Sequence, residues 1–297
     1  MTPHRALPWA ALAATILIWA GYLVAVRAGV KSDLTPLDIG LLRSLPAALC
    51  LLPITLRRGL MPGGAGVLDI LLIGGLGGTC FSLLLGGGMQ FAPVADSGIF
   101  APSMLPLFVA ILAVIFLGTR YRREQIAGFV LIFIGALALG GYDAISTAGS
   151  GAWPGHILFL IASFCWAIYT IRYRASGLAA IDAAIILVTW ASLAFVLAVA
   201  VFGTNIPQTP WPILAIQLAW GLLAGLLANF FFLFAIRNLG HEIPAAGTAL
   251  VPILAAVGGV VFLAEPIGAK KWAEIAIVSF GVLLAAGLFS RKRSAQH

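Results

Sequence analysis

The chain has 297 residues, of which 62% are hydrophobic and only 9% are charged, and its formal net charge is +7. Soluble domains are about 45–50% apolar and about 25% charged, so this composition excludes an ordinary soluble globular protein. The basic residues stand in short clusters between apolar runs and form no nucleic-acid motif, which indicates a lipid bilayer and no nucleic acid as the partner.

The apolar runs predict about ten membrane-spanning helices, because a helix needs about 20 apolar residues to cross about 30 Å of hydrocarbon. The first run is too long for a signal peptide, and no small-residue cleavage site closes it. In chain order the predicted spans are 7–27, 37–56, 68–91, 94–117, 124–141, 153–175, 182–202, 211–236, 244–263 and 271–289. The connections are short, so we expect the function to lie among the helices.

The basic residues that flank the spans predict the orientation, since cytoplasmic loops are enriched in Lys and Arg. With the N-terminus in the cytoplasm, twelve basic residues fall on the cytoplasmic side and four, Arg27, Lys31, Lys270 and Lys271, on the other. We therefore expect both termini to be cytoplasmic.

Two blocks of the chain repeat at nearly the same offset. Residues 19–28 match 166–175 with five identities in ten positions, and residues 101–141 match 247–287 without a gap and with nine identities. The repeats predict an all-α polytopic membrane protein of ten helices in two five-helix halves. Because five is an odd number, the second half must be inverted relative to the first. Inverted repeats are typical of secondary transporters, which bind substrate near the midplane between the repeats.

Two aromatic pairs occupy matching positions in the first and sixth spans. Trp19 and Tyr22 lie one turn apart, as do Trp166 and Tyr169. Packing inside the bundle is one interpretation and lining of a substrate cavity is the other. The duplication favours a cavity, which would suit an aromatic or amphipathic substrate.

Other candidates for a substrate site are weakly polar or polarisable side chains inside spans. Asn229 is the strongest of them because a mid-span amide needs a partner or a cavity, although interhelical hydrogen bonding is an equal alternative. Prolines in the fourth and ninth spans act either as paired gating hinges or as static kinks. The candidate side chains are Ser82, Ser103, Met104, Asn229, Phe230 and Thr248, and the prolines are Pro102, Pro106 and Pro252.

Arg43 is the one Lys or Arg that lies well inside a predicted span, about six residues from its start; the others that fall within the spans stand at or within one turn of an end. It either snorkels and caps carbonyls, or binds a substrate carboxylate, or pairs with Asp96. No carboxylate falls near a predicted midplane, so we expect transport without obligatory proton coupling.

No catalytic signature or metal-ligand spacing is present, and His156 and His241 stand near span ends without metal-ligand company. We expect a monomeric transporter of a small molecule, with no enzyme activity, cofactor or metal. A channel remains an alternative, and a membrane-embedded enzyme is a less favoured one.

The ten spans, the two five-span repeats and a Pro-to-Gly pattern that closes each half resemble the drug/metabolite transporter superfamily of EamA type over essentially the whole chain. Within it, the sequence is similar to bacterial aromatic amino-acid exporters of the YddG kind. The resemblance implies two EamA-like repeats, 1–146 and 147–297, and export of amino acids, foremost aromatic ones, across a bacterial inner membrane. Other members carry other metabolites or drugs, which are the alternative substrates.

Overall fold

A computed structural model of the chain describes residues 3–146, 151–240 and 242–287, and within these ranges it is helical and without strands. The basic clusters 291–293 and the position of His241 lie outside the described residues. The helical segments are α1 (Pro3–Lys31), α2 (Pro36–Arg58), α3 (Val67–Phe91), α4 (Val94–Leu117), α5 (Arg123–Ser146), α6 (Trp153–Ser176), α7 (Ala180–Phe202), α8 (Trp211–Leu239), α9 (Glu242–Gly247 with Leu250–Leu263) and α10 (Ala269–Ala285).

In the described part of the chain, eight helices are long and apolar enough to cross a membrane, two fewer than the sequence predicts. The other two, α5 and α10, are helices at the positions of the fifth and tenth predicted spans, and each begins with charged turns. The all-helical membrane architecture is therefore confirmed. The ten-span count and the inverted repeat stay predictions.

Four of the long helices depart from regular α geometry. Residues Ile70–Cys80 of α3 and Leu223–Leu227 of α8 are π-helical. Helix α4 is interrupted at 101–104 and α9 at 248–249. In α4 the second piece begins with Pro106 in its first turn, where the missing N–H of proline costs no hydrogen bond. Irregular backbone inside a membrane bundle is tolerated where protein or a cavity surrounds it.

Glycines set the closest helix contacts. Helices α5 and α10 pack against each other through Gly128 and Gly281, where an added Cβ would lie 2.3 Å from the nitrogen of Ala285 and 2.9 Å from that of Ile132. Helix α1 packs against α8 and α9, while α3 packs against α6 and α7. Small residues of this kind let membrane helices approach to backbone contact.

Ion pairs and hydrogen bonds mark the two ends of the bundle. One end, which we call the Glu265 end, gathers Arg27, Lys31, Val94, Asp96, His156, Glu265 and Lys271. The opposite end, which we call the Asp182 end, gathers Arg58, Asp69, Arg172 and Asp182. The region between them is the candidate substrate site.

Candidate functional site

The candidate site is built around Arg43, a buried side chain on α2 that is 9% exposed. Its guanidinium carbon lies 5.1 Å from the ring centroid of Tyr22, 5.0 Å from that of Phe81 and 5.6 Å from that of Trp166. Its Nη1 donates a hydrogen bond of 3.1 Å to the hydroxyl of Ser82. Each cation–π contact contributes about 0.5–2 kcal/mol, so three rings from α1, α3 and α6 hold the guanidinium in place. We call Arg43, Ser82 and these three rings the Arg43 cluster.

Glycines of α8 bring α2 into position. A Cβ at Gly221 would lie 2.4 Å from the carbonyl oxygen of Leu42, and one at Gly225 would lie 3.1 Å from that of Arg43. Any larger residue at Gly221 would therefore push α2, and with it the Arg43 cluster, away from α8. A small cavity of about 20 Å³ beside Arg43 and Ser82 has room for one water molecule.

The charge of Arg43 is not balanced by an acid within the described residues. Three of the buried carboxylates there pair with other arginines: Asp69 with Arg172 at 2.8 Å, Asp182 with Arg58 at 2.8 Å and Glu265 with Arg27 at 2.7 Å. Asp38 accepts instead from the hydroxyls of Thr35 and Thr204. A buried cation without an anionic partner is costly, so this arrangement favours an anionic ligand.

The two predicted aromatic pairs both reach this region. Tyr22 and Trp166 contact Arg43 directly, while Trp19 packs against Phe232 at 5.0 Å between centroids. Tyr169 meets Trp166 edge to face at 5.1 Å. The Tyr22 hydroxyl is buried and has no hydrogen-bond partner of ordinary geometry in the described part of the chain.

Phe81 is a member of the cluster that the sequence does not predict; its ring lies 4.5 Å from that of Trp166 and also faces Arg43. Its one sequence signal is its position next to Ser82. Nothing in a single sequence distinguishes this phenylalanine from the many that face lipid.

The other predicted residues do not join the Arg43 cluster. The Asn229 amide donates to the carbonyl of Gly225 in its own helix at 3.4 Å, and Phe230 is 41% exposed. Thr248 donates to the carbonyl of Ala245 at 2.6 Å. Ser103 donates to the carbonyl of Gly98 at 2.9 Å within the break in α4, where the buried Met104 also lies.

The predicted hinge prolines lie at the helix breaks. Pro102 is within the interruption of α4, and Pro106 and Pro252 stand in the first turn of the pieces that follow. The two broken helices meet closely, since a Cβ on Gly98 would lie 2.9 Å from the Cα of Pro252. A gating role for these prolines stays a prediction.

One pairing considered from the sequence is wrong: Arg43 does not pair with Asp96. The Asp96 carboxylate instead contacts His156 Nε2 at 2.8 Å and Lys271 Nζ. The reason is position, because Asp96 in the first turn of α4 lies at the Glu265 end while Arg43 lies deeper, among the aromatic rings. The sequence does not predict the contact between Asp96 and His156 either, since no local spacing connects residues on α4 and α6.

A second network closes the same end. Glu265 accepts from Arg27 and from the Val94 backbone N–H at 2.9 Å, and Lys31 lies 3.3 Å from it. Arg27 also donates to the carbonyl of Met89. These contacts join α1, α3, α4 and the α9–α10 connection. Ion pairs and charge-assisted hydrogen bonds therefore hold these elements together at the Glu265 end.

The sequence profile of one family matches almost all of the chain in two segments. The family is described as the EamA-like transporter family, and the matched residues are 5–141 and 153–287.

Relatives of similar length carry transporter names. The chain is 28% identical over 288 residues to an uncharacterized inner membrane transporter, YedA, of Escherichia coli strain K12, covering 92% of this chain and 89% of the relative. It is 26% identical over 267 residues to a probable terminal-alkyne amino-acid exporter of Streptantibioticus cattleyicolor, covering 86% and 85%. One crystal structure of a protein is similar in fold, with a TM-score of 0.59 and 17% identity over 97% of this chain and 99% of that one.

Proposed function

Since the chain belongs to the EamA-like transporter family, we propose that it exports amino acids, foremost aromatic ones, across a bacterial inner membrane by alternating access. The observation that carries the substrate class is the buried Arg43 without an acidic partner among the described residues, enclosed by Tyr22, Phe81 and Trp166. The relative named as an amino-acid exporter supports the same class.

The two ends of an amino acid find complementary groups in this cluster. Arg43 binds the carboxylate, because a guanidinium offers several donors and makes charge-assisted bonds to carboxylates. The Tyr22 hydroxyl, which has no hydrogen-bond partner of ordinary geometry in the described part of the chain, accepts from the ammonium group. The rings of Phe81, Trp166 and Tyr169 receive the apolar side chain through stacking contacts.

The proposal includes ten spans in two inverted repeats, residues 1–146 and 147–297. Two separate family matches, one in each half, support the repeat. Further support comes from paired irregularities: π-helical segments in α3 and α8, and interruptions in α4 and α9. Helices three and four of the first half therefore share their distortions with helices three and four of the second.

With both termini in the cytoplasm, the Glu265 end faces outward and the Asp182 end faces the cytoplasm. The charge networks at the Glu265 end then hold the protein closed to the outside. Alternating access consists of releasing that end while the Asp182 end closes, with Pro102, Pro106 and Pro252 at the moving breaks.

The direct test is counterflow of labelled phenylalanine in proteoliposomes that contain the purified protein. Phenylalanine and 3-phenylpropionate should compete for counterflow, because both carry the carboxylate, whereas phenethylamine, which lacks it, should compete at least tenfold less well. Competition by phenethylamine alone would remove Arg43 as the carboxylate ligand. Competition by sugars or nucleosides alone would sink the amino-acid proposal. Flux that does not saturate would indicate a channel.

A further inference from the structure

A buried carboxylate at the Glu265 end is shared by two basic side chains. Asp96, in the first turn of α4, has no exposed surface. One of its oxygens lies 2.8 Å from Nε2 of His156 on α6, and the other contacts Nζ of Lys271 on α10. None of these three groups belongs to the Arg43 cluster.

The environment of His156 fixes which of its nitrogens carries hydrogen. Because a carboxylate only accepts hydrogen bonds, Nε2 must donate to Asp96. The other nitrogen, Nδ1, is buried and has no hydrogen-bond partner among the described residues. The ring stacks on Phe100 at 4.5 Å. Nδ1 has no acceptor for a second proton there, and in this conformation Lys271 supplies the counter-charge of Asp96.

The three groups belong to two packing units. Helices α4 and α6, which carry Asp96 and His156, pack against each other, whereas α10 packs chiefly against α5. A movement that opens the Glu265 end by withdrawing the start of α10 would remove Lys271 and leave the Asp96–His156 pair behind. The buried carboxylate then needs another positive partner.

We propose that His156 and Asp96 form a proton-binding site, in which a proton taken up by His156 replaces Lys271 as the counter-charge of Asp96 when the Glu265 end opens. The proton comes from the water that enters at that end and binds at Nδ1, which then faces solvent. Closure returns the proton to the same water as Lys271 comes back. The open state therefore holds one more proton than the closed state, and acid favours opening by at most about tenfold per pH unit.

This proton is taken up and released on one side, so it is not cargo. The expectation of transport without obligatory proton coupling stays a prediction beside it. The inference rests on the proposed alternating access, because it requires the Glu265 end to open.

Other charged groups near this site come from three elements. Helix α1 contributes Arg27 and Lys31, the α9–α10 connection contributes Glu265, and α10 contributes Lys270 with Glu274 at 3.7 Å. On α3 the contacts to α6 at Gly155 come from Gly88 and Ala92, which carry no charge. A pH response of these charged groups does not depend on His156, and replacement of His156 separates it from the proposed site.

The test measures the distance between two spin labels across the Glu265 end, in nanodiscs and without substrate. Cys50, Cys80 and Cys165 are replaced by Ala, and labels are placed at the exposed positions of Trp153→Cys on α6 and Gly268→Cys before α10. We expect the population with the longer distance to rise when the pH falls from about 8 to about 5.5, the range in which histidines titrate. In His156→Gln, whose amide still donates to Asp96 but binds no proton, the rise should vanish.

Lys271→Met supplies an independent check. It removes the counter-charge of the closed state, so the long-distance population should be raised at both pH values. Three results would overturn the proposal: no acid response in the parent protein, an equal response in His156→Gln, or a distance distribution in Lys271→Met that equals the parent's. Because no substrate is used, an acid response without amino-acid counterflow would contradict the proposed substrate and leave this site standing.

Discussion

The guanidinium carbon of Arg43 on α2 lies 5.6 Å from the indole centroid of Trp166 on α6, within the Arg43 cluster. The first residue comes from the first family-matched segment and the second from the other. The candidate substrate site thus lies across the two halves of the chain, and changes on either side of it should affect the same binding step.

Replacing Arg43 should remove the group that binds the substrate carboxylate. Hydrogen bonds to charged groups contribute about 1.5–3 kcal/mol, so Arg43→Gln should weaken phenylalanine binding about 10- to 100-fold. Arg43→Lys should recover only part of this, because an ammonium lacks the planar fork of donors. Calorimetric titration with phenylalanine measures the effect. The control is Arg237→Gln, at an exposed position in the last turn of α8, which should bind as the parent does. Equal affinity in Arg43→Gln would contradict the assignment.

Shortening Trp166 should weaken binding of aromatic substrates in particular. Trp166→Ala removes the contacts to Arg43 and Phe81, and a lost contact of about 0.5–2 kcal/mol corresponds to about 2- to 30-fold in affinity. Trp166→Phe should keep most of it. Trp211→Ala is the matched control, since that side chain is 69% exposed. Competition counterflow measures the affinity of each variant for aromatic substrates. Equal losses of affinity in the two alanine variants would argue against a site at Trp166.

Gly221→Ala should separate α2 from α8. The new methyl would lie 2.4 Å from the carbonyl oxygen of Leu42, which is backbone and cannot move aside. Overpacking of this kind costs about 1–3 kcal/mol, so the thermal unfolding temperature should fall and phenylalanine binding should weaken with it. Gly75→Ala is the control, because its Cβ would meet only the carbonyl of Ile70 at 3.8 Å. If the unfolding temperature and phenylalanine binding fell equally in both variants, the close α2–α8 contact would not be what positions the site.

Glu265→Gln should release the closed end. Glutamine keeps an acceptor for the Val94 N–H but loses the charge that holds Arg27 and Lys31. Losing charge-assisted bonds of about 1.5–3 kcal/mol should raise the open population at least about tenfold. The label pair at 153 and 268 reports it. Asp182→Asn, which removes a pair at the other end, should not lengthen that distance. If both variants behaved alike, closure would not depend on the Glu265 network.

The sequence predicted the helices well, because hydropathy over about 20 residues is a local property. It also singled out Trp19, Tyr22, Trp166 and Tyr169, since a duplicated pattern needs no knowledge of contacts. It could not predict that Phe81 faces Arg43 or that His156 pairs with Asp96. Both contacts join helices that are distant in the chain, and in an apolar sequence the direction in which each helix face points is set by packing.

The number of residues in the π-helical stretch Ile70–Cys80 determines which side chains of α3 face Arg43. Phe81 and Ser82 follow it immediately, and both touch Arg43. Successive residues of an α-helix are rotated by about 100°, so deleting one residue from the stretch would turn everything after it by roughly that amount. Such a deletion would leave hydropathy and span length almost unchanged, yet it would turn Phe81 and Ser82 away from Arg43. Insertions and deletions in this segment should therefore change which side chains face Arg43. A gap there between two homologues would indicate a different transported substrate.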